Sequence, residues 1–433
     1  MLRSKHSVFH SLSAFQTVAG ITAVALVLRA TAVILFSDHH APDLEYMLIA
    51  QNLLDGRGFW WNDWGRMPWQ FTSLFPPLYV YFCALFIALS PANFLPLYLA
   101  QAVIGALGCI PAYIVGRGFF SHRAGLLFAA LFAVYPELVF LPVRPVPEFM
   151  YVVIVLGLIA LFGRWRSLDP GAPRTVRYTL LTGLISGLGI LVKETVIITV
   201  TAIILSYLWK QRRMLGPSLK RVIIPIAVVI FVVLLPWGIR NRVVQGEWIF
   251  MRSAFGLNLW MGNNEIATGT DKTGDGGYVS LRLLDEHRDY YERVKPADEQ
   301  EIERFYISEA TQYISQHPVR YVELSARRLY YLFWFDPTHK LARNNVYRLS
   351  YVLLLLLAIP GLVLALKRRM LDPVWPLILL GHIAVYVPTI IVPRYRIVMI
   401  VVYVLMAAVL LDFLLRRVYP PGSQSFTQED SNN

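Results

Sequence analysis

Long apolar runs separated by short basic blocks set the rhythm of this chain. Residues 222–235 and 351–366 carry no charge, and with their flanks they approach the ~20 residues that cross a bilayer. Similar runs begin at 18, 95 and 397. The blocks between them are Arg117 and Arg123; Arg164, Arg166, Arg174 and Arg177; Lys210, Arg212, Arg213, Lys220 and Arg221; Lys367, Arg368 and Arg369; and Arg416 and Arg417. Short Lys/Arg-rich loops stay cytoplasmic, so these blocks and the N-terminus are expected inside.

That rule fixes the parity of crossings. Three apolar stretches, 18–36, 75–90 and 95–116, lie between the inner N-terminus and the inner Arg117, and an even number must cross. The middle one is the shortest and opens with Pro76 and Pro77, so it is expected as a half-buried helix on the outer face, within one outer loop over 37–94. Lys193 and Glu194 interrupt the apolar stretch 180–209. A single helix would hold each charge near the bilayer centre at a cost of ~2.5–3.5 kcal/mol, so two helices with both charges at the outer turn are expected.

The predicted fold class is an all-α polytopic membrane protein of about ten transmembrane helices, with two extracytoplasmic loops containing short helices. Its expected parts are a cytoplasmic N-terminus (1–17), an N-terminal transmembrane module (18–242, including loop 37–94), a second outer loop (243–345), C-terminal membrane helices (346–417) and a polar cytoplasmic tail (418–433). The segment 298–316 reads as an amphipathic helix stopped before Pro318, and 320–335 carries an aromatic band suited to the interface.

Composition agrees: 56% of residues are hydrophobic and 16% charged, against about 25% charged in a soluble domain. A net charge of +12 would point to nucleic acid in a soluble protein, but here it sits in topology-setting loops, so no nucleic-acid partner is expected. Cys83 and Cys109 both lie in apolar segments, which excludes a disulfide scaffold and a thiolate metal site. Arg3 and Lys5 precede the first apolar run with no small-residue cleavage signature after it, as in an uncleaved signal anchor. No Asn begins an N-x-Ser/Thr acceptor, which favours a bacterial inner membrane.

Chemistry is expected where polar groups converge on the outer face. The first loop holds Asp38, Asp43, Glu45, Asp55 and Asp63 against only Arg57 and Arg66. Asp43 and Glu45 follow the first helix end closely enough to sit near the headgroups, where a carboxylate could act as general base on a hydroxyl or help ligate a divalent cation, Mg or Mn. A solvated loop carboxylate is the alternative. Glu148, in Arg144-Pro-Val-Pro-Glu148, adds a second outer carboxylate, and could equally pair with Arg144. Lys193, Arg240, Arg394 and Arg396 bring positive charge to the same level, suited to an anionic headgroup or to ordinary lipid anchoring. Asp271 to Gly277 faintly resembles a cation loop but lacks the terminal Glu, and a flexible turn is the plainer account.

These residues resemble a family. Asp43-Leu-Glu-Tyr46-Met-Leu-Ile-Ala50-Gln-Asn52-Leu-Leu-Asp-Gly56-Arg-Gly58-Phe59, then Pro76-Pro77-Leu-Tyr79, is similar to the first outer loop of bacterial GT-C glycosyltransferases, of the protein mannosyltransferase and aminoarabinose transferase group. The resemblance continues through Pro147-Glu148, 187–193, Pro236-Trp237-Gly-Ile-Arg240-Asn241, Gly262-Asn263-Asn264, His317-Pro318 and Arg394-Tyr395-Arg396. It implies a GT-C helical bundle that moves a sugar from a polyprenyl-phosphate donor to an extracytoplasmic hydroxyl acceptor, with inversion. It puts the essential acid on Asp43, a later acid on Glu148, carrier-phosphate contacts on Lys193, Arg240, Arg394 and Arg396, and substrate-loop roles on Tyr46 and Asn263. Three departures stand out: Leu44 separates two acids that are usually adjacent, so either Asp43 or Glu45 could be the base; Pro147 replaces a common Thr or Ser; and Glu194 follows Lys193. A flippase for a lipid-linked glycan, or a membrane scaffold, are the rival readings; neither two-fold internal symmetry nor broken midplane helices are evident beyond Lys193.

Overall fold

The protein is described by a computed structural model covering residues 2–40, 44–61, 72–277, 279 and 299–418, with side chains of the first helix from residue 14. It is a multi-pass, all-α membrane protein. Among the described residues seven helices are long and apolar enough to cross a membrane, and a pair bent by 56° makes an eighth. In chain order the helices are α1 (Leu2–Phe36), α2 (Glu45–Leu54), α3 (Pro77–Leu89), α4 (Leu95–Phe119), α5 (His122–Val134) and α6 (Pro136–Phe140). They continue as α7 (Glu148–Trp165), α8 (Pro173–Val192), α9 (Val196–Lys210), α10 (Leu215–Gln245) and α11 (Phe255–Gly262). The last are α12 (Glu299–Gln316), α13 (Pro318–Phe333), α14 (Asn345–Lys367), α15 (Val374–Tyr386) and α16 (Ile397–Val418).

The shorter apolar helices α9 and α15 stand where the two remaining expected crossings were placed, and α3 is the helix expected not to cross. The stop at Val192 and restart at Val196 keep Lys193 and Glu194 out of any helix interior.

Small residues decide which helices touch. A Cβ on Gly183 or Gly187 of α8 would lie 2.7 Å from Val229 or Val233 of α10, and one on Gly361 of α14 would lie 2.0 Å from the Met406 carbonyl oxygen of α16. Backbones approach this closely only where no side chain intervenes, the usual basis of helix association in lipid. α16 is the central helix, 72% buried along its apolar window, whereas α1, α10 and α14 are 28% buried and form the periphery.

The bend between α5 and α6 has an identifiable cause. Pro136 has no N–H to give the Phe132 carbonyl, and the guanidinium of Arg29 on α1 supplies the donors: Nη2 to Phe132 O at 3.0 Å and Nη1 to Ala133 O at 3.0 Å. A buried charge in the first apolar run thus completes a broken helix.

The basic blocks meet at one end of the bundle. There Asp372 accepts from Arg166 Nη1 at 2.7 Å, Ser206 Oγ at 2.8 Å and Lys210 Nζ, joining α7, α9 and α15. At the other end, Glu299 at the start of α12 accepts from Thr72, Ser73, Ser253 and Gln245, which fastens the loop after α10 to the one between α2 and α3.

Candidate active site

At that second end, three residues from three distant elements meet. Glu148 opens α7 with 1% of its surface exposed, Lys193 follows the last residue of α8, and Arg394 lies in the 3-10 turn Pro393–Arg396 that leads into α16. Glu148 Oε1 accepts from Lys193 Nζ at 2.8 Å and lies 3.7 Å from Arg394 Nε. So Glu148 pairs across the bundle, not with its neighbour Arg144. Among the described residues its Oε2 and the Arg394 Nε are buried without a hydrogen-bond partner. The Arg394 side chain as a whole is 38% exposed. Lys193 Nζ lies 5.4 Å from the Tyr395 ring centre and 5.8 Å from that of Tyr151, faces that further stabilise its charge.

One carboxylate between two cations leaves the centre with a net positive charge. A second pair borders it, Arg252 to Glu194 at 3.4 Å. Burial works against the charge of Arg252, but Glu194 together with Tyr395 and Tyr46 outweighs it and leaves the guanidinium pKa above its ordinary value.

The segment between α1 and α3 forms the opposite wall. Tyr46 on α2 is 5% exposed and packs edge-on against Tyr79 and Phe75. Burial pushes its phenol well above the usual range; the Glu148 and Glu45 carboxylates add to that, while Arg394 and Arg252 oppose it. The Glu45 Oε2 is buried without a partner among the described residues. Asp43 lies outside the described residues.

The remaining predicted residues are held elsewhere. Arg240 donates to Thr72 O at 2.7 Å and Phe59 O at 3.2 Å and stacks on Trp237 and Phe59, which fixes the first outer loop to α10. Arg396 points away from its neighbour Arg394, donating to Trp334 O at 2.6 Å and to the Tyr347 hydroxyl. Asn263 is fully buried; its amide donates to Leu259 O and Pro388 O, and its oxygen accepts from Arg328 Nη2 at 3.1 Å. Arg328 in turn donates to Gly262 O at 2.6 Å, and Gly269 O accepts from Ile391 N at 3.2 Å. A Cβ on Gly262 would lie 1.8 Å from Thr389 O. The segment from α11 to α13 therefore clasps residues 387–391, the approach to Arg394.

Sequence reasoning missed Arg252, Arg328 and Tyr395 as builders of this site. Arg252 and Arg328 sit among other polar loop and interfacial residues, where one arginine gives no periodic signal. Asp271 to Gly277 forms a tight turn in which Thr273 N donates to Gly277 O at 2.9 Å. Among the described residues no three His, Cys, Asp or Glu side chains gather as a metal set, and two cations already press on Glu148.

Residues 75–237 match the family described as dolichyl-phosphate-mannose-protein mannosyltransferase. Among solved structures, the chain is similar to ArnT from Cupriavidus metallidurans bound to undecaprenyl phosphate, at 15% identity and a TM-score of 0.56 over 92% of this chain and 61% of that one. It is also similar to the oligosaccharyltransferase AglB from Archaeoglobus fulgidus, in complex with an inhibitory peptide and a dolichol-phosphate, at 16% identity and a TM-score of 0.55 over 93% and 50%. The chain has the GT-C fold. That is the superfamily its outer-loop residues resemble. Among curated proteins none matches. The chain spans about half to three fifths of the length of these two GT-C structures.

Proposed function

We propose that this GT-C chain is a membrane glycosyltransferase that moves a sugar from a polyprenyl-phosphate donor to a hydroxyl acceptor outside the cytoplasmic membrane, with inversion. The observation that carries this reading is the convergence of Lys193 and Arg394 on Glu148, beside the acidic first loop. The solved GT-C structures most relevant to it hold undecaprenyl phosphate and a dolichol-phosphate.

In this mechanism the donor phosphate sits against Lys193 and Arg394. The acceptor oxygen attacks the anomeric carbon as the bond from that carbon to the phosphate oxygen breaks. The phosphate leaves with the electron pair, stabilised by the two cations, and the acceptor proton passes to Asp43. Glu45, with one oxygen unpartnered among the described residues, orients the acceptor. Glu148 holds Lys193 and Arg394 in place before the phosphate arrives, which lowers the reorganisation that the step requires. The module 18–242 supplies the acids and Lys193, and the helices of 346–417 supply Arg394, so neither part is a site alone.

Asp43→Asn in reconstituted vesicles tests this. Transfer should fall by about 100-fold or more while carrier binding persists. Full transfer by Asp43→Asn together with its loss in Glu45→Gln would move the base to Glu45; carrier translocation without transfer in the wild-type chain would replace the enzyme by a transporter.

A further inference from the structure

A second cationic feature lies on the same end of the bundle but outside the centre. The last turns of α13 and the first turn of α14, with the segment between them, enclose a groove of about 650 Å3. Arg327, Arg343 and Arg348 line it together with Tyr330, Trp334 and Phe335. Arg327 is paired with Glu323 at 2.5 Å, and that glutamate also holds Arg320 at 2.7 Å. Arg343 and Arg348 are exposed and have no carboxylate within ion-pair distance among the described residues. Arg348 rests 5.9 Å from the Phe335 ring centre, which props its guanidinium at the groove edge.

The position selects the ligand. α14 ends at Lys367 and is followed by Arg368 and Arg369, so its other end, where Arg343 and Arg348 stand, faces the side on which short loops avoid basic residues. Two uncompensated guanidinium groups there call for an anion. Below them the surface of α14 is apolar and exposed at Leu349, Leu353 and Leu356, and Tyr330 and Trp334 are exposed at the rim. A free anion would use the cations and leave this surface idle; a lipid uses both, its phosphate held by guanidinium donors and its chain lying along α14. The back of the groove shares Tyr331, Trp334 and Phe335 with the small cavity of Pro393 and Arg396, so it abuts the turn of Arg394 from the face away from Glu148.

We propose that this groove binds the phosphate headgroup of an anionic outer-leaflet lipid. The assignment rests on the sidedness used for the proposed function, but not on the transfer chemistry.

The test is native mass spectrometry of the purified full chain titrated with phosphatidylglycerol or phosphatidylcholine. Arg343→Gln with Arg348→Gln should weaken phosphatidylglycerol binding by roughly tenfold or more and leave phosphatidylcholine unchanged. Arg343→Lys with Arg348→Lys should retain most of it, which separates charge from misfolding. Arg212→Gln with Arg213→Gln, exposed at the other end, and Lys193→Met in the centre should both bind as the wild type does, so failure of the transferase reading would leave this result standing. Equal binding by the double Gln variant overturns the proposal. So does displacement of the lipid by millimolar inorganic phosphate, which would mark a free-anion site.

Discussion

The two ends of the bundle use the same ingredients for opposite ends. At one, Asp372 meets Arg166, Lys210 and Ser206; at the other, Glu148 meets Lys193 and Arg394. Each is a buried carboxylate between two cations. Asp372 is closed: both its oxygens accept bonds, and the Val374 N–H adds another at 3.2 Å. Glu148 is open: among the described residues one oxygen lacks a partner, and the arginine beside it is partly exposed. A satisfied ion cluster holds helices together, whereas an under-satisfied one keeps bonding capacity for something not yet present.

If that contrast is right, the largest effect comes from breaking the closed cluster. Asp372→Asn takes the shared, buried carboxylate from two partly exposed cations and with it two charge-assisted bonds, and should lower stability by about 3 kcal/mol, read as a lower thermal midpoint in detergent. Burial opposes ionisation of Asp372, but the bonds from Lys210, Ser206 and the Val374 N–H together with the Lys210 charge outweigh it and hold its carboxyl below the usual range. Its contribution is therefore full above the unfolded carboxylate pKa of about 4 and fades as pH falls through the lower folded value. The gap in midpoint between wild type and Asp372→Asn should close in acid; a gap that widens would refute the assignment.

At the open cluster the balance reverses. Lys193→Met should reduce sugar transfer by about 10- to 100-fold through weaker carrier phosphate binding and a poorer leaving group, while the thermal midpoint moves less than in Asp372→Asn. A variant that unfolds like Asp372→Asn yet transfers normally per folded molecule would make the two clusters equivalent. Arg240→Ala sharpens the boundary of the site. Its donors go to the carbonyls of Thr72 and Phe59, so the loss should be about 1–2 kcal/mol of stability with carrier affinity retained. A carrier affinity that drops with unchanged stability would return Arg240 to the phosphate site.

Much of the frame was legible because membranes restrict the choices. Basic blocks and apolar lengths set the crossings, and the burial cost of Lys193 and Glu194 located the break between α8 and α9. Glu148, Lys193 and Arg394 could each be picked out as charges where charge is unfavourable. Their partners could not, because pairing across α7, α8 and the turn before α16 depends on packing that no local pattern encodes. Arg396 shows the limit most clearly: two positions from Arg394, it serves α13 and α14 instead. Arg29 was hidden inside an apolar run, since its role follows from Pro136, more than a hundred residues away.

Tyr46 gives the finest distinction. It lies between the acidic wall and the cationic centre, and its hydroxyl could be taken for an acid or base. Burial, reinforced by the Glu148 and Glu45 carboxylates, keeps the phenol protonated well beyond its ordinary range. It can then donate a hydrogen bond but cannot exchange its proton at working pH. Tyr46→Phe should accordingly slow transfer by no more than about tenfold, the worth of one hydrogen bond, and leave the pH profile of kcat/KM in place. A tyrosine that titrated in the reaction would instead remove the alkaline limb when replaced, and the site would then have to be electrostatically far more positive around α2 than Glu45 and Glu148 allow.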